Sequence, residues 1–561
     1  MSDRNRDKRI TKGELRILFL LATMLLVSVW GGAKQTSTSN PKGISLNKTD
    51  FEVAVEDTKK VVLDYADSLI YDNKLNPDFQ ILKGNVQFHR GGMKMFCDSA
   101  YFYDQTNSMD AYGNVRMEQG DTLFVFSDVM YYNGDASEAL LRNNVKLQNR
   151  DVILVTDSLN YNMDENVGYY YVWGKIVDSQ NELVSEYGEY WPDTKDALFS
   201  DNVVLTNEKA KLYSDTLKYN TSTHIAQIET PTEIISDSGR IESSRGWYNT
   251  NNNRSALYDR SKVQHNSYIL IGDTIFYDRD NGYGNVFGNV YIEDTVQHVI
   301  MQGNFAYYYE KNDSAMVTDR ALMMDCSQKD TLFLHADTLR TIMLPDSSRL
   351  MKAYFNTRFY RNDIQGVCDS MVFHSEDTVI NMYRNPIIWN TNYQIFGDTI
   401  KIYLNDSTIE RVHIPSFAFA TQQKDTAFFN QITGKDMLNH FKNGKLSQVD
   451  VSGSVQTIFY PQEEDSTFTG LNNATSGFLK MEMDTATNEM DKLMMWPQVD
   501  GTMTPISKIK PKDLYLPSFH WYEAIRPTDK HDIFRKVEES AAEEQPKKRR
   551  KFSNQVESQP R

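Results

Sequence analysis

A short motif that recurs about every 29 residues is the feature that most constrains the fold of this chain. The motif is an acid, any residue, an apolar residue, any residue and a tyrosine, as in 157–161 (DSLNY), 215–219 (DTLKY) and 273–277 (DTIFY). Its acid, or a close variant, stands at positions 98, 128, 157, 186, 215, 273, 337, 369 and 398, with Ser244 and Gly303 at two further steps. A fixed step of this length predicts a repeat architecture, in which one long array forms a single domain.

A second motif alternates with the first, and both are typical of strands. It reads Gly-Asn-Val at 84–86, 113–115 and 288–290, and Asn-Asn-Val at 143–145. Apolar residues then recur at every second position, which places them on one face of a strand. Turn-forming clusters such as Asn133-Gly134 separate the motifs, and no segment between 50 and 400 has a sustained helical period. We therefore predict an all-β fold of stacked antiparallel hairpins, with two strands and two turns in each unit.

Hairpins that share an inward face would enclose one continuous apolar trough. Its candidate ligand-contacting residues are Val86, Phe88, Ala100, Phe102, Val115, Met117, Met130, Tyr132, Val145, Leu147, Leu159 and Tyr161. The sequence alone does not separate ligand contact from plain core packing at any one of these positions.

The alternation of Gly-Asn-Val strands with Asp-x-Leu-x-Tyr strands resembles the OstA-like family, periplasmic lipopolysaccharide-transport proteins with the LptA-type β-jellyroll, or β-taco. The resemblance covers about 80–410 and is clearest at 81–161 and 261–292. It implies a non-enzymatic protein that binds lipopolysaccharide acyl chains in the trough and helps carry lipopolysaccharide across the periplasm to the outer membrane. Inner- and outer-membrane transport components are the implied partners, and exposed terminal strands are expected to pair with like folds. The number of units makes the chain similar to the long OstA-like proteins of the Bacteroidetes group.

The N-terminus predicts export. Six basic residues lie within 1–16, and 17–33 contains no charge. This order is typical of a signal peptide or a retained inner-membrane anchor, and both alternatives stay open for residues 1–33. Either one places the remainder of the chain outside the cytoplasm, and the resemblance implies the periplasm.

The other expected boundaries follow from changes in the repeat. Residues 34–75 are a linker and lead-in segment, and residues 76–414 form the repeat domain. Residues 415–530 are expected to form a small C-terminal α+β cap segment, with a short helix at 436–445 and residues 511–521 over the open end of the stack. Residues 531–561 are charged, lack apolar periodicity and are predicted to be disordered.

Little in the sequence predicts a catalytic, metal or cofactor site. Cys97, Cys326 and Cys368 fit neither a zinc site nor a closed disulfide framework, and the equivalent placement of Cys97 and Cys368 predicts buried small side chains. Each motif acid is expected to accept hydrogen bonds from backbone N–H groups at the start of its strand. We predict no cofactor and no metal. The net charge of −16 argues against nucleic acid as a partner.

Two other functions remain open at this stage. The chain could be an envelope scaffold or adhesin with a filled core, or a polysaccharide-active β-repeat enzyme that uses two of its many carboxylates. The triplets at 98–100 and 369–371 resemble O-glycosylation acceptors of Bacteroidetes envelope proteins, and the sequence does not decide whether they are modified.

Overall fold

The computed structural model describes residues 59–536 apart from 75, 238, 406–407, 464–466 and 488–489. The predicted export segment 1–33, most of the lead-in segment and the tail from 537 onward lie outside the described residues. The prediction of disorder over 531–561 is wrong for its first residues, because Asp532–Phe534 forms a 3-10 helix that packs on His335. Within the described part, the regular structure is strand, with six single-turn 3-10 helices. None of its helices is long and apolar enough to cross a membrane.

The strands are, in chain order, β1 Val62–Tyr65, β2 Ser68–Asp72, β3 Asn76–Arg90, β4 Met93–Tyr103, β5 Ser108–Gln119, β6 Leu123–Asn133, β7 Glu138–Asn149, β8 Val152–Asn162, β9 Val167–Tyr170, β10 Gly174–Val177, β11 Glu182–Ser185, β12 Tyr187–Trp191, β13 Asp196–Thr206, β14 Ala210–Asn220, β15 Ile225–Ile228, β16 Thr232–Ser236, β17 Gly239–Ser243, β18 Arg245–Asn249, β19 Arg254–His265, β20 Tyr268–Asp278, β21 Tyr283–Asp294, β22 Val299–Tyr309, β23 Ser314–Thr318, β24 Leu322–Asp325, β25 Leu332–His335, β26 Thr338–Met343, β27 Arg349–Arg361, β28 Ile364–His374, β29 Val379–Tyr383, β30 Ile387–Asn390, β31 Tyr393–Gly397, β32 Thr399–Asn405, β33 Thr408–Ile414, β34 Ala418–Gln423, β35 Phe429–Gly434, β36 Asp436–Lys442, β37 Lys445–Phe459, β38 Gly470–Met483, β39 Met490–Trp496 and β40 Asp500–Pro505. The 3-10 helices are Asp104–Thr106, Glu310–Asn312, Ile506–Lys508, Pro511–Asp513, Glu523–Ile525 and Asp532–Phe534.

These strands form one antiparallel sheet that is folded over on itself. Each long strand bends near its middle, where its pairing register shifts, for example between Lys83 and Val86 of β3. We call the line of bends the corner. On one side of it, half-sheet A begins with β1, which pairs with the C-terminal part of β3. On the other side, half-sheet B begins with β2, which pairs with the N-terminal part of β3.

At several bends the strand is interrupted, so that its halves carry separate labels. β9 and β10 both pair with β8, and lie in half-sheets B and A respectively. The two half-sheets continue in parallel to the C-terminal edge, where β39 and β40 both pair with β38. The predicted unit of two strands is confirmed: β4 with β5, and β6 with β7, are successive units.

The Gly-Asn motif makes the bend. Gly113 and Asn114 have φ angles of 80° and 44°, in the left-handed region that Gly and Asn tolerate best. A Cβ at position 113 would also lie 2.4 Å from the Asp98 Oδ2 atom of the neighbouring strand, so the close approach needs glycine. The motif therefore lies in the middle of a bent strand, because the chain must turn from one half-sheet into the other there.

The motif acids also lie at the corner. The Asn114 side-chain amide donates to Asp98 Oδ2 at 2.8 Å, and Asn144 and Asn289 make the same bond to Asp128 and Asp273, each at 2.7 Å. The prediction of backbone N–H partners at strand starts is therefore wrong. These three acids stand in mid-strand, and the left-handed asparagine beside each of them directs its amide toward the carboxylate.

The C-terminal part differs from the prediction. Residues 418–505 continue both half-sheets as β34–β40, and Asp436–Lys442 is the strand β36. Met437 and Asn439 are buried there while Leu438 is partly exposed, which is the two-residue period of a strand. The predicted helix at 436–445 and the α+β character of this segment are wrong, because pairing of β36 with β33 and β37 overrides the local signals of Asp436 and Gly444.

Residues 506–534, which we call the strap, run along the outer face of half-sheet A. They pack on a second apolar cluster that includes Trp389, Phe396 and Phe419. The strap crosses strands in reverse chain order, since Leu516 bonds to Gln431 of β35 and Tyr522 to Gln394 of β31. Residues 511–521 were predicted over the end of the stack, and these contacts place them on a face of the sheet instead.

Two buried glutamines hold the strap by its backbone. The Gln431 side chain donates to the Leu514 carbonyl at 2.9 Å and accepts from the Leu516 N–H at 2.8 Å. Gln394 donates to the His520 carbonyl and accepts from the Tyr522 N–H, both at 2.8 Å. Each amide thus satisfies a carbonyl and an N–H two residues apart, as a neighbouring strand would.

The last turn of the strap packs on a histidine. The His335 ring lies 4.6 Å from the Phe534 ring, and its Nδ1 is 2.7 Å from the Ala321 carbonyl. Burial lowers the pKa of His335 below its usual 6.5, and Arg358 and Arg320 act in the same direction against Asp337. The docked state therefore favours neutral His335, whereas an undocked strap lets it take up a proton more readily.

We expect acidification to weaken this contact. Above about pH 6.5 His335 is neutral in both states, and the docked strap has its full stability. As the pH falls below that value, the undocked state takes up a proton more readily, and the docked state becomes less stable. Hydrogen exchange at residues 528–536, corrected for intrinsic exchange rates, should accelerate between pH 7.5 and pH 5.5. The His335→Phe variant keeps a ring against Phe534 but cannot titrate, so it should show no such step. An equal pH dependence in both proteins would contradict the assignment.

Candidate functional site

The candidate site is the interior between the half-sheets. All twelve trough residues predicted from sequence point into it and are buried. Phe88 of half-sheet A lies opposite Phe102 of half-sheet B, with ring centroids 5.4 Å apart. The apolar cluster they belong to continues through every unit from Val61 to Leu479. The structure thus places the predicted residues in one continuous interior, as the shared inward face requires.

In the N-terminal units this interior is closely packed. Leu159 and Tyr161 have no exposed surface, and together with Leu147 they surround Gly168, where an added Cβ would lie 3.3–3.5 Å from them. Burial raises the pKa of the Tyr161 hydroxyl well above its usual range. A ligand can therefore contact these side chains only if the half-sheets separate.

A column of hydroxyl groups follows the corner side of the interior. Ser127, Ser185, Ser214 and Ser243 are buried, and each precedes the motif position of its unit. Each donates to the carbonyl two residues further along, at 2.7–3.0 Å. The bend removes these carbonyls from the sheet ladder, so the hydroxyls satisfy groups that would otherwise be buried without a partner.

Cys97 and Cys368 occupy the equivalent place in their own units. Both are buried, which confirms the prediction of small buried side chains. Burial raises the pKa of each thiol to about 12, so neither is a thiolate at neutral pH. Among the described residues, no group of three His, Cys, Asp or Glu side chains is placed to hold a metal ion.

Opposite the corner, the turns of the two half-sheets meet at what we call the mouth. Polar side chains join them there, and we call these bonds the latch. The buried Arg90 guanidinium donates to Ser137 Oγ at 2.8 Å and to Asp164 at 2.6 Å. Asn149 donates to the Tyr190 hydroxyl at 3.2 Å and to the Pro192 carbonyl at 2.9 Å. These bonds close the mouth over the first units.

The latch continues with a buried acid. Tyr219 of half-sheet B donates to Asp178 of half-sheet A at 2.5 Å, and Asn181 donates to the Tyr219 hydroxyl at 2.9 Å. Burial, followed by the Asp178 carboxylate, raises the pKa of Tyr219, so the hydroxyl keeps its proton for this bond. At the first units, hydrogen bonds from Lys59 and Arg90 hold the pKa of Asp164 well below its usual range.

The sequence analysis did not find the latch. Arg90 is 47 residues from Ser137 and 74 from Asp164, and no motif relates these positions. The only sequence signal for the latch is weak. Isolated Arg, Asn and Asp residues occur in the turns of the array, but the fold decides which residues they bond to.

Comparison with known protein families finds a match for the N-terminal part of the described chain. The family model of OstA-like proteins matches residues 58–215 and 200–273. The matched part of this chain is similar to OstA-like proteins. It spans β1 to β19 and the first half of β20, and so contains the corner motifs at 84–86, 113–115 and 143–145 and most of the latch.

Solved structures similar to the chain include LptH from Pseudomonas aeruginosa, described as the LptA homologous periplasmic component of the conserved lipopolysaccharide transport device. The similarity has 13% sequence identity and a TM-score of 0.20, and covers 25% of this chain and 95% of LptH. A search of curated proteins finds no match.

Proposed function

We propose that the protein is a non-enzymatic periplasmic carrier of lipopolysaccharide. In this proposal acyl chains lie between the half-sheets, and the protein helps to carry the lipid toward the outer membrane. The observation that carries the proposal is the continuous apolar interior from Val61 to Leu479, in a chain whose N-terminal units are OstA-like. A lipid with several acyl chains needs a long apolar surface, and the folded sheet offers one in every unit.

Acyl burial supplies the affinity in this proposal. Each buried methylene contributes about 0.8 kcal/mol. The net charge of −16 repels lipopolysaccharide phosphates, so the head groups stay in solvent or are bridged by cations. The twelve trough residues from Val86 to Tyr161 are proposed as part of the apolar lining, available once the mouth opens.

The two ends of the sheet are the proposed contacts with like folds. β1 and β2 form the N-terminal edge, where Tyr65, Leu69 and Tyr71 are exposed. β39 and β40 form the opposite edge, where Trp496 and Met503 are exposed. An edge strand with unpaired backbone groups is a ready template for another strand. We propose that inner- and outer-membrane transport components pair there, and that residues 1–33 direct export or anchor the chain.

The proposal predicts a bound lipid. The full-length protein, purified from its native envelope, should carry lipid A-type species close to stoichiometry in mass spectrometry. The Met371→Asp variant, purified in the same way, is the matched control, because an acid in the interior should repel acyl chains. Preparations that retain other weakly bound lipids but no lipid A-type species would contradict the proposal.

Close packing of the N-terminal units favours a second candidate, an envelope scaffold with a filled core. Met109, Met130, Leu141 and Leu159 have no exposed surface. A scaffold of this kind would purify without lipid from every preparation, which the same experiment detects.

A further inference from the structure

The latch does not extend along the whole mouth. Its last member is Arg349 of half-sheet B, which donates to the Tyr268 hydroxyl at 3.3 Å and to Asp294 at 3.5 Å, both in half-sheet A. The same guanidinium donates to Asp313 at 2.9 Å. Across the described residues of β28–β37, no hydrogen bond or ion pair joins a mouth turn of one half-sheet to a mouth turn of the other.

Burial of the interior changes at the same place. Several apolar residues pack on the interior core but keep part of their surface exposed. Before Val299 these are only Leu63, Ala66 and Met163 among the described residues. From Val299 onward they are Val299, Leu332, Met351, Ile364, Met371, Ile380, Ile395, Leu404, Ile409, Ala420, Ile432, Phe441, Leu446, Met481 and Met495. Interior side chains are therefore partly exposed more often where the latch is absent, although others there, such as Ile400, Ile414 and Met437, remain buried.

Two equivalent positions show the contrast directly. Leu159 and Met371 each follow an Asp-Ser pair at the corner of half-sheet B and point into the interior. Leu159 has no exposed surface, whereas Met371 is partly exposed. Both side chains occupy the same place in their units, so the comparison isolates the difference in burial between the two segments.

The lining of the open part suits an irregular apolar ligand. Met351 and Met371 lie on the neighbouring strands β27 and β28 and are partly exposed, and Met371 is paired directly with the buried Met382 of β29. Methionine is unbranched and polarisable, so it adapts to ligands of varied shape. Beside this lining, the strap packs on the outer face of half-sheet A.

We propose that the mouth is divided at Arg349 into a latched segment, β3–β22, and an unlatched segment, β27–β37, and that acyl chains enter and bind in the unlatched segment. This inference rests on the proposed function and locates its binding site beyond the OstA-like residues 58–273. The latched segment takes lipid only after its polar bonds separate, so it is a closed continuation of the trough.

The test uses the full chain with a photoreactive benzoylphenylalanine at position 371 or, as the matched control, at position 159. Purified lipopolysaccharide is the probe, and a lipid–protein adduct on gels is the readout. We expect at least tenfold more adduct at 371. Adduct at 159 equal to or above that at 371 would overturn this inference and leave the proposed function standing. Adduct at neither position would overturn both.

A bulky group at position 159 could disturb folding, so a second experiment measures hydrogen exchange of the unmodified chain. Added lipopolysaccharide should slow exchange in β27–β37 and leave β4–β9 unchanged. Protection confined to β4–β9, or spread evenly over both segments, would overturn the division at Arg349.

Discussion

Replacing Leu159 by aspartate is expected to unfold the N-terminal units locally. The side chain has no exposed surface and, with Leu147 and Tyr161, surrounds Gly168 in the interior. Loss of a buried leucine side chain costs about 2–5 kcal/mol, and a carboxyl group without a buried partner adds to that cost. Because a repeat array is stabilised mainly between neighbours, the damage should remain near β6–β9. Hydrogen exchange of β6–β9 should rise by at least two orders of magnitude.

The matched substitution Met371→Asp should have a different result. Met371 is partly exposed, so a carboxylate there can reach water at the unlatched mouth. We expect the free energy of unfolding, measured with denaturant, to fall by less than about 2 kcal/mol. We also expect the variant to lose its bound lipid. Local unfolding of equal size in both variants would contradict the difference in packing that separates the two segments.

The repeat was predictable because each bend is formed by short motifs that recur along the sequence. A bend requires two residues that tolerate the left-handed region, and a neighbouring acid requires an amide beside it, so Gly113, Asn114 and Asp98 recur as motifs. The alternation of apolar residues then assigned the interior face correctly at all twelve trough positions. What the pattern could not give was the position of the motif in the strand, since a bend and a strand start use the same residue types.

The helix predicted at 436–445 failed for a physical reason. Its sequence begins with Asp436 and ends before Gly444, which are helix boundary residues, but Gly444 forms the tight turn between β36 and β37 with a φ of 73°. Pairing on both sides with β33 and β37 supplies backbone partners that an isolated helix of this length would lack.

The latch and the strap were beyond sequence reasoning because their partners are distant. Gln394 bonds to residues 126 and 128 positions further along the chain. A glutamine in a strand ordinarily marks a solvated face. Only the folded sheet shows that this face is covered, and that the amide holds another segment of the chain.

Gln394 therefore carries the second large prediction, that Gln394→Leu releases the strap. Its amide satisfies three groups: the partly buried His520 carbonyl and Tyr522 N–H, and the buried Trp389 indole N–H, which donates to Oε1 at 3.0 Å. Leucine keeps most of the volume but leaves all three without their partner. Each unsatisfied buried group costs about 1–3 kcal/mol, so docking of the strap should weaken by about 3 kcal/mol or more. Hydrogen exchange of residues 514–526 should accelerate at least a hundredfold.

The effect of Gln394→Leu on the sheet shows whether the strap stabilises the strands beneath it or only covers them. If the strap supports the strands that the latch leaves free, Gln394→Leu should also accelerate exchange in β30, β31 and β34 while β4–β9 stay unchanged. Gln422→Leu is the matched control, since Gln422 lies near the same mouth, is partly exposed and makes no bond to the strap. Unchanged exchange in β30, β31 and β34 after release of the strap would mean that strand pairing alone stabilises half-sheet A there. The unlatched segment would then owe its stability to the sheet ladder and not to the strap on its outer face.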